Sequence, residues 1–210
     1  RAIRINPDYA DAHFGLGNAY GKSGKYQEAI ESFKQAISTD PDNADAHYNL
    51  GNAYGESGKH QEAIESYKQA IRIDPDYADA HNNLGLAYSD SGKYEEAIDA
   101  YKQAIRIDPD FAMAHNNLGY VYGELGKYEE AIESYKQAIR IDPDFAMAHN
   151  NLGLAYFDSG KYQEAIDAYK QVIRIVPDYA KAHYNIGLAY YKSGKYEEAI
   201  DAYKQAIRID

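Results

Sequence analysis

Across residues 78–111 the small and apolar residues Ala80, Leu84, Ala87 and Tyr88 recur at helical spacing, and so do Ala97, Tyr101, Ala104, Ile105 and Ile107. Polar residues fill the positions between them, so the pattern predicts two amphipathic helices and no strand. Gly92 falls just past the first helix, where a left-handed residue costs least, and Pro109 follows Asp108, where the second helix must stop. Asp110 is expected to cap the next helix, which begins near Phe111 or Ala112. Gly85 lies on the buried stripe of the first helix; its missing side chain lets the partner helix approach, at about 1 kcal/mol of helix propensity relative to alanine.

This pattern is then spelled again and again. Pro7, Pro41, Pro75, Pro109, Pro143 and Pro177 stand 34 residues apart. A unit of that length cannot bury its apolar face alone and must stack on its neighbours. Residues 1–9 read as the end of a preceding second helix plus a turn, since Arg1–Asn6 matches the close of such a helix. Repeats follow at 10–43, 44–77, 78–111, 112–145, 146–179 and 180–210, the last without its final turn. The last helix keeps the usual Ile200, Tyr203, Ala206 and Ile207 where a terminal repeat carries a polar face. Its end, Lys204–Asp210, is expected to fray or to dock on another molecule.

The series His81, Leu84-Gly85, Tyr88, Ala97, Tyr101 and Pro109 resembles the tetratricopeptide repeat, with His where that family often has Trp and Tyr where it has Phe. The match recurs in all six units and covers essentially the whole chain. The resemblance implies an all-α, right-handed superhelical solenoid of stacked antiparallel helix pairs. It also implies that the first helices line a concave groove, and that the groove binds peptides or proteins.

Charge and composition narrow the partners. The net charge of −11 repels nucleic-acid phosphates and anionic membrane surfaces, and no basic patch offsets it. No apolar run approaches the roughly 20 residues that span a bilayer. The chain has no cysteine, which excludes disulfides, thiolate zinc sites and cysteine nucleophiles. With no leader in the visible chain, a cytoplasmic location is expected.

Catalytic chemistry finds little footing. His13, His47, His81, His115, His149 and His183 recur once per repeat, but neighbouring packed helices lie about 8–10 Å apart, too far for shared ligation at roughly 2 Å. They read as structural residues, and His60 as a substitution for the tyrosine at Tyr26 or Tyr94. Ser91–Lys93 is a helix-connecting turn, without the preceding strand that a phosphate loop needs. Glu95 and Glu96 open a helix, where its dipole favours acids. The chain is therefore expected to be noncatalytic, with no cofactor and no metal.

Recognition is sought where repeats differ. Of eight differences between residues 78–111 and 112–145, six lie in the first helix or its end, and Asp79, Leu86, Ser89 and Asp90 define one stripe. On the same face stands an unvaried series, Asn49, Asn83, Asn117, Asn151 and Asn185, with Gly15 in the first repeat. An asparagine amide donates and accepts at once. The series therefore resembles the ladders that hold an extended peptide by its backbone, the alternative being bonds within each asparagine's own repeat. Around it the early repeats present Asp11, Asn18, Asp45, Asn52, Glu56, Asp79 and Asp90; the later ones present Met113, Tyr120, Met147, Leu154, Phe157, Tyr184, Leu188 and Tyr191. Asp11, Asp45 and Asp79 also sit in first turns, where a carboxylate contributes about 0.3–1 kcal/mol through the dipole. Met113, Met147 and Lys181 give that up, which favours a recognition role.

Members of the family that grip a terminal carboxylate use Lys, Asn and Arg. The matching positions here are Phe14, Asn18, Asn49, Asp79 and Asn83, so the asparagines fit and the cations are absent. A peptide or protein ligand with basic and apolar parts is the better electrostatic match. Two rivals remain: a spacer or self-assembling array that stacks end to end through the last helix, and the recognition arm of a larger enzyme.

Overall fold

The computed structural model describes residues 9–209, so the reading of Arg1–Asn6 and Pro7 as the end of a preceding helix lies outside the described residues, as does Asp210. Among the described residues there are twelve α-helices and no strand. They are α1 (Ala10–Lys22), α2 (Tyr26–Thr39), α3 (Ala44–Glu56), α4 (His60–Ile73), α5 (Ala78–Asp90), α6 (Tyr94–Ile107), α7 (Ala112–Glu124), α8 (Tyr128–Ile141), α9 (Ala146–Asp158), α10 (Tyr162–Ile175), α11 (Ala180–Lys192) and α12 (Tyr196–Ile209). The chain divides after Pro109 into two compact units, one holding α1–α6 and the other α7–α12.

The helix ends follow the sequence chemistry. After α5, Gly92 takes φ +71°, its N–H donates to the Ser89 carbonyl at 2.9 Å and the Lys93 N–H donates to the Tyr88 carbonyl at 2.9 Å. That left-handed glycine satisfies carbonyls the helix would otherwise leave open. After α6, Asp108 is extended at φ −124°, ψ 95°, as a residue before proline must be. The expected cap at Asp110 is corrected: Phe111 occupies the N-cap of α7 and makes no side-chain cap bond. The loop is one residue longer than a direct Asp cap allows. In α3 a side chain does cap, the Asn43 Oδ1 accepting from the Ala46 N–H at 2.9 Å.

The core is a series of layers, each shared by three helices. In one, Ala63, Ile64 and Tyr67 of α4 meet Leu84 and Ala87 of α5 and Ala100 of α6. In another, Ala131, Ile132 and Tyr135 of α8 meet Leu152 and Ala155 of α9 and Ala168 of α10. Burying each such Ile or Leu contributes about 1.5–3 kcal/mol, and none is buried without the next helix pair. Gly85 stands against the Tyr101 ring so closely that a β-carbon would lie 2.7 Å from Cε1. The small residue thus sets the spacing within a helix pair. α12 is helical through Ile209. Its Ile200 and Ile207 are nevertheless exposed, Ile207 by 78%.

Candidate functional site

The recurring histidines are structural. Nε2 of His47, His81, His149 and His183 lies 3.0, 3.1, 2.9 and 2.8 Å from the carbonyl of Pro41, Pro75, Pro143 and Pro177. A carbonyl only accepts, so each ring donates through Nε2 and ties its helix to the preceding loop. His60 Nδ1 lies 3.9 Å from Asp90 Oδ2. Among the described residues no three or more His, Asp or Glu side chains are placed to hold a metal ion.

In the α1–α6 unit, Asn18, Asn49 and Asn52 line an open depression of about 380 Å³ with Tyr26, Phe33 and Glu56. A second, of about 520 Å³, is lined by Asn52, Glu56, His60, Tyr67, Asn83, Leu86 and Asp90. The side chains between them form a network. Asn83 Nδ2 donates to Tyr48 Oη at 3.1 Å and to Asn52 Oδ1 at 2.9 Å, and Tyr67 Oη donates to the same Asn52 oxygen at 2.8 Å. Asn82 Nδ2 donates to Asn83 Oδ1 at 3.0 Å. Tyr48 packs on Tyr77 with ring centroids 4.9 Å apart, and Tyr77 Oη donates to Asp45 Oδ1 at 2.8 Å. Burial raises the pKa of Tyr48 and Tyr67, and burial together with the bond to Asp45 raises that of Tyr77. These phenols stay neutral donors.

Asn49 behaves differently: its Nδ2 donates to the Asp45 carbonyl of its own helix at 2.9 Å. Thirty-five residues back, the position that supplies an acceptor to Asn83 and Asn151 is Phe14 in this case, which has none to offer. Of the variable stripe, Asp79, Leu86 and Asp90 are exposed, while Ser89 is buried. Its expected place on the recognition face is corrected: Ser89 is 9% exposed, whereas Phe157 and Tyr191 at the matching position of later repeats are half-buried and exposed.

In the α7–α12 unit the asparagines link successive first helices. Asn151 Nδ2 donates to Asn116 Oδ1 at 3.1 Å, joining α9 to α7, and Asn185 Nδ2 donates to Asn150 Oδ1 at 3.4 Å, joining α11 to α9. Within the helices, Asn116 and Asn150 each donate to the next residue, Asn117 and Asn151, at 3.4 Å. Asn116 is 2% exposed and Asn185 is buried, whereas Asn117 and Asn151 are half-buried. The asparagine series was legible as a repeated feature; the preceding residues Asn82, Asn116 and Asn150 were overlooked, although an Asn-Asn doublet stands in three of the six repeats. Beside this chain the apolar side chains face solvent. Met113, Tyr120, Met147, Leu154, Tyr184 and Tyr191 are exposed, Met147 by 52%, and Phe157 and Leu188 are half-buried. A smaller depression of about 160 Å³ is lined by Tyr120, Glu124, Tyr128, Tyr135, Asn151, Leu154 and Asp158. Partial burial at its edge raises the pKa of Asp158.

The family model described as TPR repeat matches residues 1–24, 22–58, 51–92, 87–126, 119–160 and 153–194, and the model described as tetratricopeptide repeat matches 180–210. The chain belongs to the tetratricopeptide repeat family. Its fold is accordingly the all-α tetratricopeptide solenoid, a protein-interaction scaffold. The structure of MamA is 32% identical at a TM-score of 0.72, covering 82% of this chain and 94% of that one. That of YrrB, a TPR protein with an unusual peptide-binding site, is 25% identical at 0.71, covering 86% and 93%. Pseudomonas aeruginosa PilF is 22% identical at 0.81, covering 95% and 91%, a likeness of fold. A search of curated proteins finds no match. Among the described residues no helix is long and apolar enough to cross a membrane.

Proposed function

We propose that this tetratricopeptide array is a noncatalytic scaffold that takes an extended peptide segment across α7, α9 and α11. The observation that carries the reading is the solvent-facing stripe of Met113, Tyr120, Met147, Leu154, Tyr184 and Tyr191. Exposed apolar side chains in a contiguous, adaptable row are characteristic of interaction surfaces. The asparagines act first as ties between helices, which holds that stripe in register. An amide has two N–H donors and two acceptor lone pairs. Half-buried Asn151, with one bond given and one accepted, therefore keeps capacity to engage a ligand backbone, while buried Asn185 does not. The α1–α6 unit has a polar surface of its own, where Asp79 is exposed and Asn18, Asn49, Asn52 and Asn83 line open depressions.

The test is selection from a displayed random-peptide library on the immobilised chain beside the variant Met147→Asp, Leu154→Asp. Enrichment on the parent and not on the variant, with both equally helical by circular dichroism, is the expected outcome. Equal enrichment on both would sink the reading. A second reading, self-association through α12, is favoured by the exposure of Ile200 and Ile207. It predicts a solution mass that rises with concentration and returns to monomer in Ile200→Asp, Ile207→Asp.

A further inference from the structure

The chain holds very little that a mild oxidant attacks. It has no cysteine, no tryptophan and two methionines. Its described core is built from Ala, Ile, Leu, Val, Phe and Tyr, and neither sulfur belongs to it. Met113 and Met147 occupy the same position of consecutive repeats, in the first turns of α7 and α9. Other repeats carry Asp11, Asp45, Asp79 and Lys181 there, so a polar side chain serves the fold at this position and methionine is not needed to pack it.

Both side chains are open to solvent, Met113 by 39% and Met147 by 52%. Both also stand near one buried amide. Met113 lies three residues before Asn116 on α7, the spacing of neighbours on one helix face. From the same residue, Asn116 Nδ2 donates to Met147 Sδ of α9 at 3.7 Å. A thioether is a weak acceptor for that amide, and a sulfoxide oxygen is a stronger one. Asn116 in turn accepts from Asn151 Nδ2, so the sulfurs sit beside the tie that aligns α7 with α9.

We propose that Met113 and Met147 are a reversible oxidation site that switches the stripe of the α7–α12 unit between an apolar form that accepts ligand and a polar form that does not. The switch rests on the stripe of the peptide-binding reading and adds a regulation to it. The oxidant is hydrogen peroxide. The Sδ lone pair attacks one peroxide oxygen, an S–O bond forms, the O–O bond breaks and the other oxygen leaves as water. Sulfur gives up two electrons and the peroxide takes them. Methionine sulfoxide reductases reverse the step, a dithiol becoming a disulfide as the oxygen departs in water. Each sulfoxide replaces a flexible apolar side chain with a polar one. A buried sulfoxide disrupts a core, whereas these two residues lie outside it and the helices stay packed.

The whole chain is treated with hydrogen peroxide and mapped by peptide mass spectrometry, which should find one added oxygen on each of Met113 and Met147. Circular dichroism should give an unchanged melting curve. Peptides selected from the displayed library should then bind about tenfold or more weakly by fluorescence anisotropy, and the two epimer-specific reductases together should restore them. Whatever binding Met113→Leu with Met147→Leu keeps should be unmoved by peroxide. Selected peptides that bind the oxidised chain as tightly as the parent overturn the switch while the peptide-binding reading stands. Equal loss in the leucine variant, or unfolding on oxidation, overturns it too. Nile red, a neutral apolar dye, supplies a readout that needs no peptide: its fluorescence on the chain should fall on oxidation and recover with the reductases. If the library yields no ligand, the peptide-binding reading fails and the dye alone decides the oxidation site. A signal that falls and recovers supports it, and one indifferent to peroxide overturns it.

Discussion

At the scale of single residues, the same amino acid does opposite things according to what lies against it. A β-carbon on Gly85 would meet the Tyr101 ring at 2.7 Å, whereas one on Gly15 would meet nothing within 4 Å. Gly85→Ala is therefore expected to lower stability by about 1–3 kcal/mol through overpacking. Gly15→Ala should raise it by about 0.5–1 kcal/mol, because only helix propensity changes. Urea denaturation of the two variants checks both signs. Asn116 is a comparable case among the polar residues. It accepts from Asn151 Nδ2 at 3.1 Å while itself 2% exposed. Asn116→Ala leaves that donor without its acceptor and should cost about 1–3 kcal/mol. The close approach at Gly85 was legible from its place on the apolar stripe. The partner of Asn151 was not, because it lies thirty-five residues away and only the packing of α9 on α7 brings it within reach.

At the scale of the element, the helix boundaries were legible in outline and the caps were not. Glycine past each first helix and proline past each second act through local backbone sterics, so sequence suffices to place them. Which residue becomes the N-cap depends on how the incoming loop is held. Here the N-cap falls on the residue that follows the Pro-Asp pair, which in α5 is Tyr77. In α3 it is Asn43, whose side chain does cap. Asn43→Ala is expected to destabilise the chain by about 0.5–2 kcal/mol. Asn43→Asp should keep most of that stability, and thermal unfolding of the pair separates a cap from a mere loop contact.

At the scale of the whole molecule, stability is summed over layers that each need a neighbour, and tyrosine supplies many of their largest side chains. Burial raises the pKa of Tyr48, Tyr67, Tyr135 and Tyr169, and this makes folding depend on alkaline pH. The unfolded chain loses these protons near pH 10 while the folded chain keeps them. The unfolded state then binds fewer protons, so stability falls as pH rises above about 10. An absorbance titration should show the exposed tyrosines ionising first and a late group ionising only as helicity is lost; one simple titration with helicity intact would contradict this. Taken across all three scales, the sequence by itself determined the helical repeat, its period, the family and the structural place of the histidines. These depend on spacings of three or four residues and on a pattern copied six times. Only the tertiary structure decided that the asparagines bond one another between repeats, that Ser89 is buried, and that Phe111 and not Asp110 occupies the N-cap of α7. Each of those outcomes depends on the distance between side chains of different helices, which packing sets and local spacing does not encode.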